Sequence, residues 1–301
     1  MKLETGKLDS ELLKKIVFGK ITYRSEDVSV RPGIGEDCAV MDFGDHDCIM
    51  STDPISSAVS DIGRLAIHIT CNDIASNGVQ PLGIMLAVML PEGTTDEDVE
   101  HIMGQAAQTA AEVKVEIIGG HTEITPAVKQ PVIVSTAIGK ALKGVSQSGN
   151  DMVPGDFIMM TKAVGLEGSG IIASDYEEQL SSVLSAKELA RAKSFLELVS
   201  VVPEGITAGS IGTHGMHDIT EGGILGAVWE MCQISGRGAQ VWEHEIPIEP
   251  ETVKICDHYE IDPLRLISSG SMVIIVPKET DGESHGRSRR CLQCHRQDRR
   301  S

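Results

Sequence analysis

The segment DIGRLAIHITCNDIASNGVQPLGIMLAVMLP, residues 61–91, decides the predicted fold because a helix pattern passes directly into a strand pattern. Its first half places Ile62, Leu65 and Ile69 at the three- and four-residue spacing of one helix face. Residues 82–91 then form a nearly unbroken apolar run, which is typical of a buried strand. The segment therefore predicts a helix that is followed by a strand of a sheet.

Strands and helices mix through the rest of the chain and predict an α/β (α+β) protein of two domains. Thr95 is the predicted N-cap of a helix with an apolar stripe. The polar, glycine-containing stretch 143–156 is the predicted linker. Further strands are predicted at 48–53, 115–120, 132–141, 157–165, 238–246 and 271–277, and further helices at 185–198 and 222–236. The predicted boundaries are 1–145 for the first domain, 151–279 for the second and 280–301 for a tail.

Composition limits the classes of function. The chain has 301 residues, 41% of them hydrophobic, which suffices for two domains with their own cores. A net charge of −18 and an aromatic content of 3% argue against nucleic acid as a partner. No apolar window approaches the roughly 20 residues of a membrane span. Unpaired cysteine spacings and the lack of an export signal predict a soluble, cytoplasmic protein with reduced thiols and no membrane contact.

Four stretches of the first domain place acidic or polar residues at strand ends or beside glycine. They contain Asp37 (GEDCAV), Asp53 (STD), Asn72 and Asp73 (CNDIAS), and His121, Thr122 and Glu123 (GGHTEI). A single aspartate at a strand end is more often a turn or cap residue. Carboxylates from several strand ends, however, suit Mg²⁺, which bridges to phosphate oxygens. Gly119 and Gly120 would let backbone N–H groups approach those phosphates.

The second domain contributes GTHGMHDITEGG, residues 212–223, before a predicted helix. Its two histidines have a spacing that zinc sites use, but a polar loop that caps the helix is the favoured interpretation. Asp218 and the N–H groups of Gly222 and Gly223 would then face an anionic substrate. Lys162, at the end of a predicted strand, either faces the same cleft or closes a loop.

These motifs, in this order, resemble the aminoimidazole ribonucleotide (AIR) synthetase superfamily, whose fold is called PurM-like. The N-terminal part rests on GEDCAV, STD, DIGRLAIHITCNDIASNGVQPLG, IIGGHTEI and STAIGKA, and the C-terminal part on GDFIMMTKAVGLEGSGIIASD, GTHGMHDITEGGILGAVWEM and ISSGSMVIIVP. The resemblance covers residues 5–278. It implies two α/β domains, a homodimer whose N-terminal sheets form a barrel, and ATP with Mg²⁺ in a groove.

Carried onto this sequence, the resemblance implies that Asp37, Asp53 and Asp73 hold Mg²⁺ and phosphate. The other expected cofactor contacts are Asn72, Gly119, Gly120, Thr122, Lys162, Gly222 and Gly223. The expected catalytic residues are Asp73, His121, Glu123 and Asp218. At the position of His121 the kinase and HypE members have an aspartate. The resemblance therefore implies that one metal ligand is lost here or is replaced by Glu123.

Within the superfamily the motifs are nearest to the hydrogenase-maturation protein HypE. The shared chemistry is phosphoryl transfer from ATP to an amide or carbonyl oxygen, which makes that oxygen a leaving group. We therefore expect an ATP-dependent enzyme of hydrogenase maturation with a small carbonyl-type substrate and other maturation proteins as partners. The alternatives are a small-molecule kinase of the thiamine-monophosphate type and a nucleotide-binding scaffold without turnover.

The tail has a different composition from the rest of the chain. Residues 280–301 carry a net charge of +3, and CLQCH at 291–295 has the spacing of a c-type haem attachment. Read one base later from within the codon of Asp281, the genetic code permits a peptide with helical apolar spacing followed by a β-branched strand. A frameshift near codons 279–281 is therefore the hypothesis, and it makes haem or zinc binding by the tail an accident. As written, the chain is expected to lack the terminal cysteine of HypE and hence cyanide-ligand synthesis.

Overall fold

The computed structural model describes residue 3, residues 6–147 and 151–278, and the backbone of a strand at 289–295. The helices are α1 (Ser10–Ile16), α2 (Ile62–Ser76), α3 (Asp96–Val113), α4 (Leu166–Asp175), α5 (Glu177–Leu180), α6 (Ala186–Ser194), α7 (Val202–Ile211), α8 (Gly223–Ser235) and α9 (Pro250–Tyr259). The strands are β1 (Val28–Val30), β2 (Ala39–Asp42), β3 (His46–Ile55), β4 (Pro81–Leu90), β5 (Glu116–Ile124), β6 (Val132–Leu142), β7 (Phe157–Met160), β8 (Met216–Asp218), β9 (Gly238–Val241), β10 (Met272–Val276) and β11 (Arg289–His295). They form two sheets.

The first sheet has the strand order β1-β2-β3-β6-β4-β5. Strands β4 and β5 are parallel and are joined by α3, whereas the other neighbouring strands are antiparallel. Helix α2 packs on this sheet and on α3, and the core between them contains Ile67, Ile74 and Ile84. This mixed sheet with its helices agrees with the α/β class that the sequence predicts.

Helix α2 is buried on nearly every side. All of its residues except Arg64 are buried, because the second domain covers the side that the sheet leaves free. Gly205 of α7 allows this contact, since a Cβ there would lie 2.3 Å from the carbonyl oxygen of Ala75. The C-terminal half of α2 therefore lies between the two domains.

The second sheet has the order β8-β10-β7-β11-β9. Its described pairs are antiparallel, and Ile158, Val273 and Ile275 form a core with Ile224 of α8. The backbone strand β11 pairs with β7 and β9. The rest of the predicted tail, with the frameshift region at codons 279–281, lies outside the described residues.

Several predicted elements are confirmed, and others end earlier than predicted. Thr95 caps α3 in a capping box with Asp98, as the sequence predicts. The strand predicted at 157–165 ends at Met160, because Lys162 has a left-handed φ of 52° that a strand cannot continue through. In the described part of the chain, no helix is long and apolar enough to cross a membrane.

Candidate active site

Four aspartates from both domains lie close together at the domain boundary. Asp37 precedes β2, Asp53 lies on β3, Asp73 lies on α2 and Asp218 ends β8. A cavity of about 660 Å³ opens here, and Asp37, Asp53 and Asp73 are among its walls. The second domain adds Glu167, at the start of α4, to the same cavity. The three N-terminal aspartates thus lie together, but Asp73 reaches the cavity from helix α2 and not from the end of a strand.

Asp73 is buried at the centre of this group. The hydroxyl of Ser51 donates a hydrogen bond to Asp73 Oδ2 at 2.5 Å. Burial raises the pKa of Asp73 well above its usual value, and the charges of Asp218, Asp53 and Asp37 raise it further. A positive ion in the cavity would offset this cost.

Asp218 is fully buried, and neither of its carboxylate oxygens has a hydrogen-bond partner among the described residues. A buried carboxylate without hydrogen bonds is costly unless a metal or another cation compensates it, and the ring of His217 does so in part, with Nδ1 3.8 Å from Asp218 Oδ1. One oxygen of Asp218, one oxygen of Asp37 and a nitrogen of His217 lie within 4.8 Å of one another. Carboxylate oxygens are the donors that Mg²⁺ prefers, so the residues present fit this metal.

His217 supplies positive charge and does not act as a ligand. Its Nδ1 lies 2.7 Å from the carbonyl oxygen of Asp218, and its Nε2 lies 3.0 Å from a carboxylate oxygen of Glu230. Both partners are acceptors, so both ring nitrogens donate and the ring is an imidazolium. Burial opposes this charge, but Asp37 and the other carboxylates keep the pKa of His217 well above its usual value. Both ring nitrogens are thus used in hydrogen bonds, which agrees with the favoured interpretation of a polar loop.

The rest of the cavity is also acidic. Burial raises the pKa of Asp37 to about 7, although His217, 3.3 Å away, lowers it. Burial likewise raises the pKa of Glu167 to about 7, against the opposing effect of Ser269. Lys7 is the only lysine or arginine among the cavity's described lining residues. The carboxylates therefore exceed the cations, and an anion such as a phosphate enters only together with a metal ion.

The structure does not bring the GGHTEI motif to this cavity. His121, Thr122 and Glu123 are exposed on β5, and β6 and β4 separate that strand from β3. His121 Nε2 lies 3.4 Å from a carboxylate oxygen of Glu123. These residues therefore have no contact with the four aspartates within this chain.

The two glycines of that motif have different surroundings. A Cβ at Gly120 would lie 1.9 Å from the carbonyl oxygen of Leu86 on β4, whereas a Cβ at Gly119 would meet nothing within 4 Å. The close pairing of β4 and β5 thus explains why residue 120 is a glycine, and no contact with a phosphate is needed to explain it.

Asn72 and Lys162 form structural contacts. Asn72 Nδ2 donates to the carbonyl oxygen of Val199, and its Oδ1 accepts from the N–H of Val201, both at 2.8 Å. Lys162 Nζ forms an ion pair with Glu204 at 2.6 Å. Neither residue lines the acidic cavity, so their predicted cofactor contacts have no support in the geometry.

Gly222 and Gly223 begin α8 beside the cavity residues Thr220 and Glu221. The N–H of Gly223 donates to the carbonyl oxygen of Thr220 and is not free for a phosphate. A Cβ on Gly223 would lie 2.3 Å from the carbonyl oxygen of Leu264. The two glycines thus shape the turn that places Thr220 and Glu221.

Three features of the site are not predicted from the sequence: Ser51, Glu230 and the charge on His217. Ser51 has only the strand-end motif STD as a signal, and Glu230 stands in an ordinary helix pattern. The partners of His217 are set by contacts between β8 and α8, which no local pattern records. The position of Glu167, shortly after a predicted strand and a glycine, gives only a weak indication in the sequence that it faces the cavity.

The fold and the site define a two-domain α/β protein with an acidic cavity between its domains. Residues 35–141 match the family model described as "AIR synthase related protein, N-terminal domain", and residues 153–287 match "AIR synthase related protein, C-terminal domain". The chain belongs to this family of AIR synthase related proteins.

Two named relatives show how far the similarity extends. A putative hydrogenase expression/formation protein of Methanocaldococcus jannaschii is 32% identical over 97% of this chain and 84% of its own length. Carbamoyl dehydratase HypE of Rhodobacter capsulatus is 27% identical over 75% of this chain but only 64% of its own length. The match to the second relative therefore leaves more than a third of that protein uncovered.

Solved structures confirm the fold. A HypE–HypF complex superposes with a TM-score of 0.76 at 23% identity, covering 95% of this chain and 93% of that chain. Thiamine monophosphate kinase from Aquifex aeolicus gives a TM-score of 0.72 at 16% identity, with 94% and 92% covered. At these identities the similarity establishes the PurM-like fold that the sequence predicts.

Proposed function

We propose that this protein is an ATP-dependent enzyme of the HypE type, which binds ATP with Mg²⁺ and activates an amide or carbonyl oxygen in hydrogenase maturation. The observation that carries the proposal is the unpartnered, buried carboxylate of Asp218 beside Asp37 and Asp73. The similarity to proteins named carbamoyl dehydratase HypE supports the reaction class. A cytoplasmic location agrees with the five described cysteines, all of which are free.

In this proposal Asp37, Asp53 and Asp73 hold Mg²⁺, and Asp218 lies beside Asp37. When bound, the metal neutralises phosphate charge and orients the phosphates. His217 donates from Nε2 to the carboxylate of Glu230, and its positive ring attracts the carboxylate of Asp37, which lies 3.3 Å from Nδ1. These side chains are fixed before ligand enters, so little reorganisation accompanies binding.

The substrate class follows from the chemistry that the cavity supports. Transfer of a phosphoryl group to an amide oxygen turns that oxygen into a phosphate leaving group. Loss of the phosphate together with the two N–H protons converts a primary amide into a nitrile. Glu167 lines the cavity from the second domain, where it can accept one of these protons, and burial raises its pKa to about 7. Glu167 is thus the proposed proton acceptor of the cavity.

The proposed assembly is a homodimer through the first sheet. Leu82 and Met85 on β4 and Ile118 and Ile124 on β5 are exposed apolar side chains. β5 is an edge strand, and an unpaired apolar edge favours association with another sheet. Contacts with other hydrogenase-maturation proteins stay a prediction from the family resemblance.

Isothermal titration of ATP with and without Mg²⁺ tests the acidic site. We expect Mg²⁺-dependent binding that Asp73→Asn weakens at least tenfold, because the variant keeps the shape and removes the charge. Asp45→Asn is the matched control, since Asp45 is exposed on a hairpin away from the cavity. Equal binding by both variants would overturn the assignment of the site.

Turnover tests the reaction class. ADP release that depends on a carbamoylated protein thiol or another primary amide supports the proposal. Thiamine monophosphate is the comparison substrate. Its phosphorylation would favour the kinase alternative, whereas MgATP binding without turnover on any of these compounds would favour the scaffold.

A further inference from the structure

A second cavity of about 660 Å³ lies on the other side of α2. Arg64 and His68 line it from α2, Val113 and Lys114 from the end of α3, and Ile206 from α7. At 100° per residue, Arg64 and Asp73 point in opposite directions from the helix axis. The two cavities share no lining residue. The second cavity is therefore separate from the acidic site.

The inner wall of this cavity contains polar atoms without partners. His68 is 6% exposed, and its Nδ1 is buried without a hydrogen bond among the described residues. The Nε of Arg64 is also buried and has no hydrogen bond among the described residues, although it forms a long ion pair with Asp61 at 3.9 Å. Both atoms are fully buried, so a ligand in the cavity would meet the other nitrogens of the His68 ring and the Arg64 guanidinium, which are not among the fully buried unpartnered atoms.

The charges of the cavity favour an anion at its inner end. Burial and the nearby charge of Arg64 lower the pKa of His68 to about 4, so its ring is neutral at pH 7 and can donate one N–H. Arg64 is the only charged side chain that is not exposed among the described lining residues. The two carboxylates, Glu112 and Glu197, stand at the exposed rim, where water solvates them. Lys114 is at the same rim and adds positive charge.

We propose that this cavity binds a small molecule that carries a phosphate or carboxylate group, with Arg64 and His68 as donors to the anionic group. The guanidinium fork suits both groups, because each presents oxygens at the matching spacing. Lys114 attracts the anion from the rim. The apolar side chains of Val113, Val202 and Ile206 line the remaining space for the body of the ligand.

The position of the cavity gives the ligand a stabilising role. Its walls come from the first domain, through α2 and α3, and from the second domain, through Ser200 and Val202. Asn72 bonds to Val199 and Val201, immediately next to those wall residues. A ligand that contacts both sides therefore stabilises the same domain contact that Asn72 forms.

Thermal unfolding of the whole protein tests the site, with sodium phosphate and sodium acetate as separate probes at constant ionic strength and with EDTA present. We expect at least one probe to raise the unfolding midpoint with a saturable concentration dependence. A shift with phosphate alone assigns the site to phosphate, and a shift with acetate alone assigns it to carboxylate. Arg64→Met should weaken the apparent affinity about tenfold or more, because a charge-assisted hydrogen bond is lost.

Three further variants distinguish binding in this cavity from binding elsewhere on the protein. Arg24→Met makes the same change at an exposed position outside both cavities and should leave the affinity unchanged. Asp73→Asn disables the acidic site and should also leave it unchanged. Should Arg64→Met fail to fold, Lys114→Met at the rim should still weaken the affinity about threefold. No shift with either probe, equal loss in Arg24→Met, loss in Asp73→Asn or an unchanged Lys114→Met would each overturn the proposal.

Discussion

Replacing Asn72 with alanine is expected to destabilise the contact between the domains. The Asn72 side chain is fully buried and makes two hydrogen bonds of 2.8 Å to backbone groups of Val199 and Val201. Alanine removes both partners and leaves one carbonyl oxygen and one N–H group buried without a bond. Each such group costs about 1–3 kcal/mol. Partial relaxation makes the two less than additive, so the expected loss of unfolding free energy is roughly 2–5 kcal/mol.

Equilibrium unfolding in urea measures this loss. Trp229 and Trp242 are the two tryptophans and both lie in the second domain, so their fluorescence should be followed together with far-UV circular dichroism, which reports both domains. Asn77→Ala is the matched control on the same stretch of chain, because Asn77 Nδ2 makes one longer bond of 3.3 Å to the carbonyl oxygen of Asp73. We expect that control to cost about 1 kcal/mol or less.

The same variant decides between two roles for Asn72. If its side chain only joins the domains, folded Asn72→Ala protein should bind MgATP within about threefold of the wild type, as expected for a residue outside the cavity. A stability loss no larger than that of Asn77→Ala would refute the hydrogen-bond argument. A folded variant that no longer binds MgATP would restore the cofactor contact predicted from the sequence.

Three further substitutions test local features. Glu188→Gln should lower the unfolding midpoint at pH 7, and the difference from the wild type should shrink as the pH falls from 4.5 towards 2. The hydrogen bond from Lys254 lowers the pKa of Glu188 to about 2, and the stabilisation exists only while the folded protein holds the charge. An equal difference at pH 7 and pH 3 would contradict this. Thr95→Ala should cost about 1 kcal/mol in urea unfolding through loss of the N-cap of α3, and an unchanged midpoint would argue against the cap. Gly223→Ala should lower the free energy of unfolding by roughly 2 kcal/mol or more, because φ is 62° and the new Cβ would meet the carbonyl oxygen of Leu264. A soluble variant of wild-type stability would show that the turn can relax.

The sequence predicts those parts of the structure that local spacing determines. The apolar periodicity of 61–76 and the uninterrupted run of 82–91 correspond to α2 and β4, and Thr95 begins α3 where its pattern predicts. Local residue order sets these features directly. Of the three N-terminal aspartates, Asp53 follows an apolar run on a strand, whereas Asp73 reaches the same cavity from helix α2.

Other features depend on contacts between distant segments. The spacing of Ile62, Leu65 and Ile69 identifies one apolar face of α2, but the second domain also covers the opposite side and leaves only Arg64 outside the buried set. Asn72 stands next to Asp73 in sequence, but a turn of about 100° per residue directs its side chain towards Val199 and Val201. Adjacent residues on a buried helix therefore serve different sites, which the sequence alone does not distinguish.

The acidic cavity is complete only when both domains are in contact. Asp37, Asp53 and Asp73 come from the first domain, whereas Asp218 and the imidazolium of His217 come from the second. A shift between the domains would move His217 away from Asp37, now 3.3 Å apart, and leave a buried carboxylate without its cation. The electrostatic balance of the site therefore depends on the packing that Asn72 helps to fix. Because folded Asn72→Ala is expected to bind MgATP within about threefold of the wild type, the other contacts between the domains, such as that of Gly205 with Ala75, are expected to hold His217 in place without the Asn72 side chain.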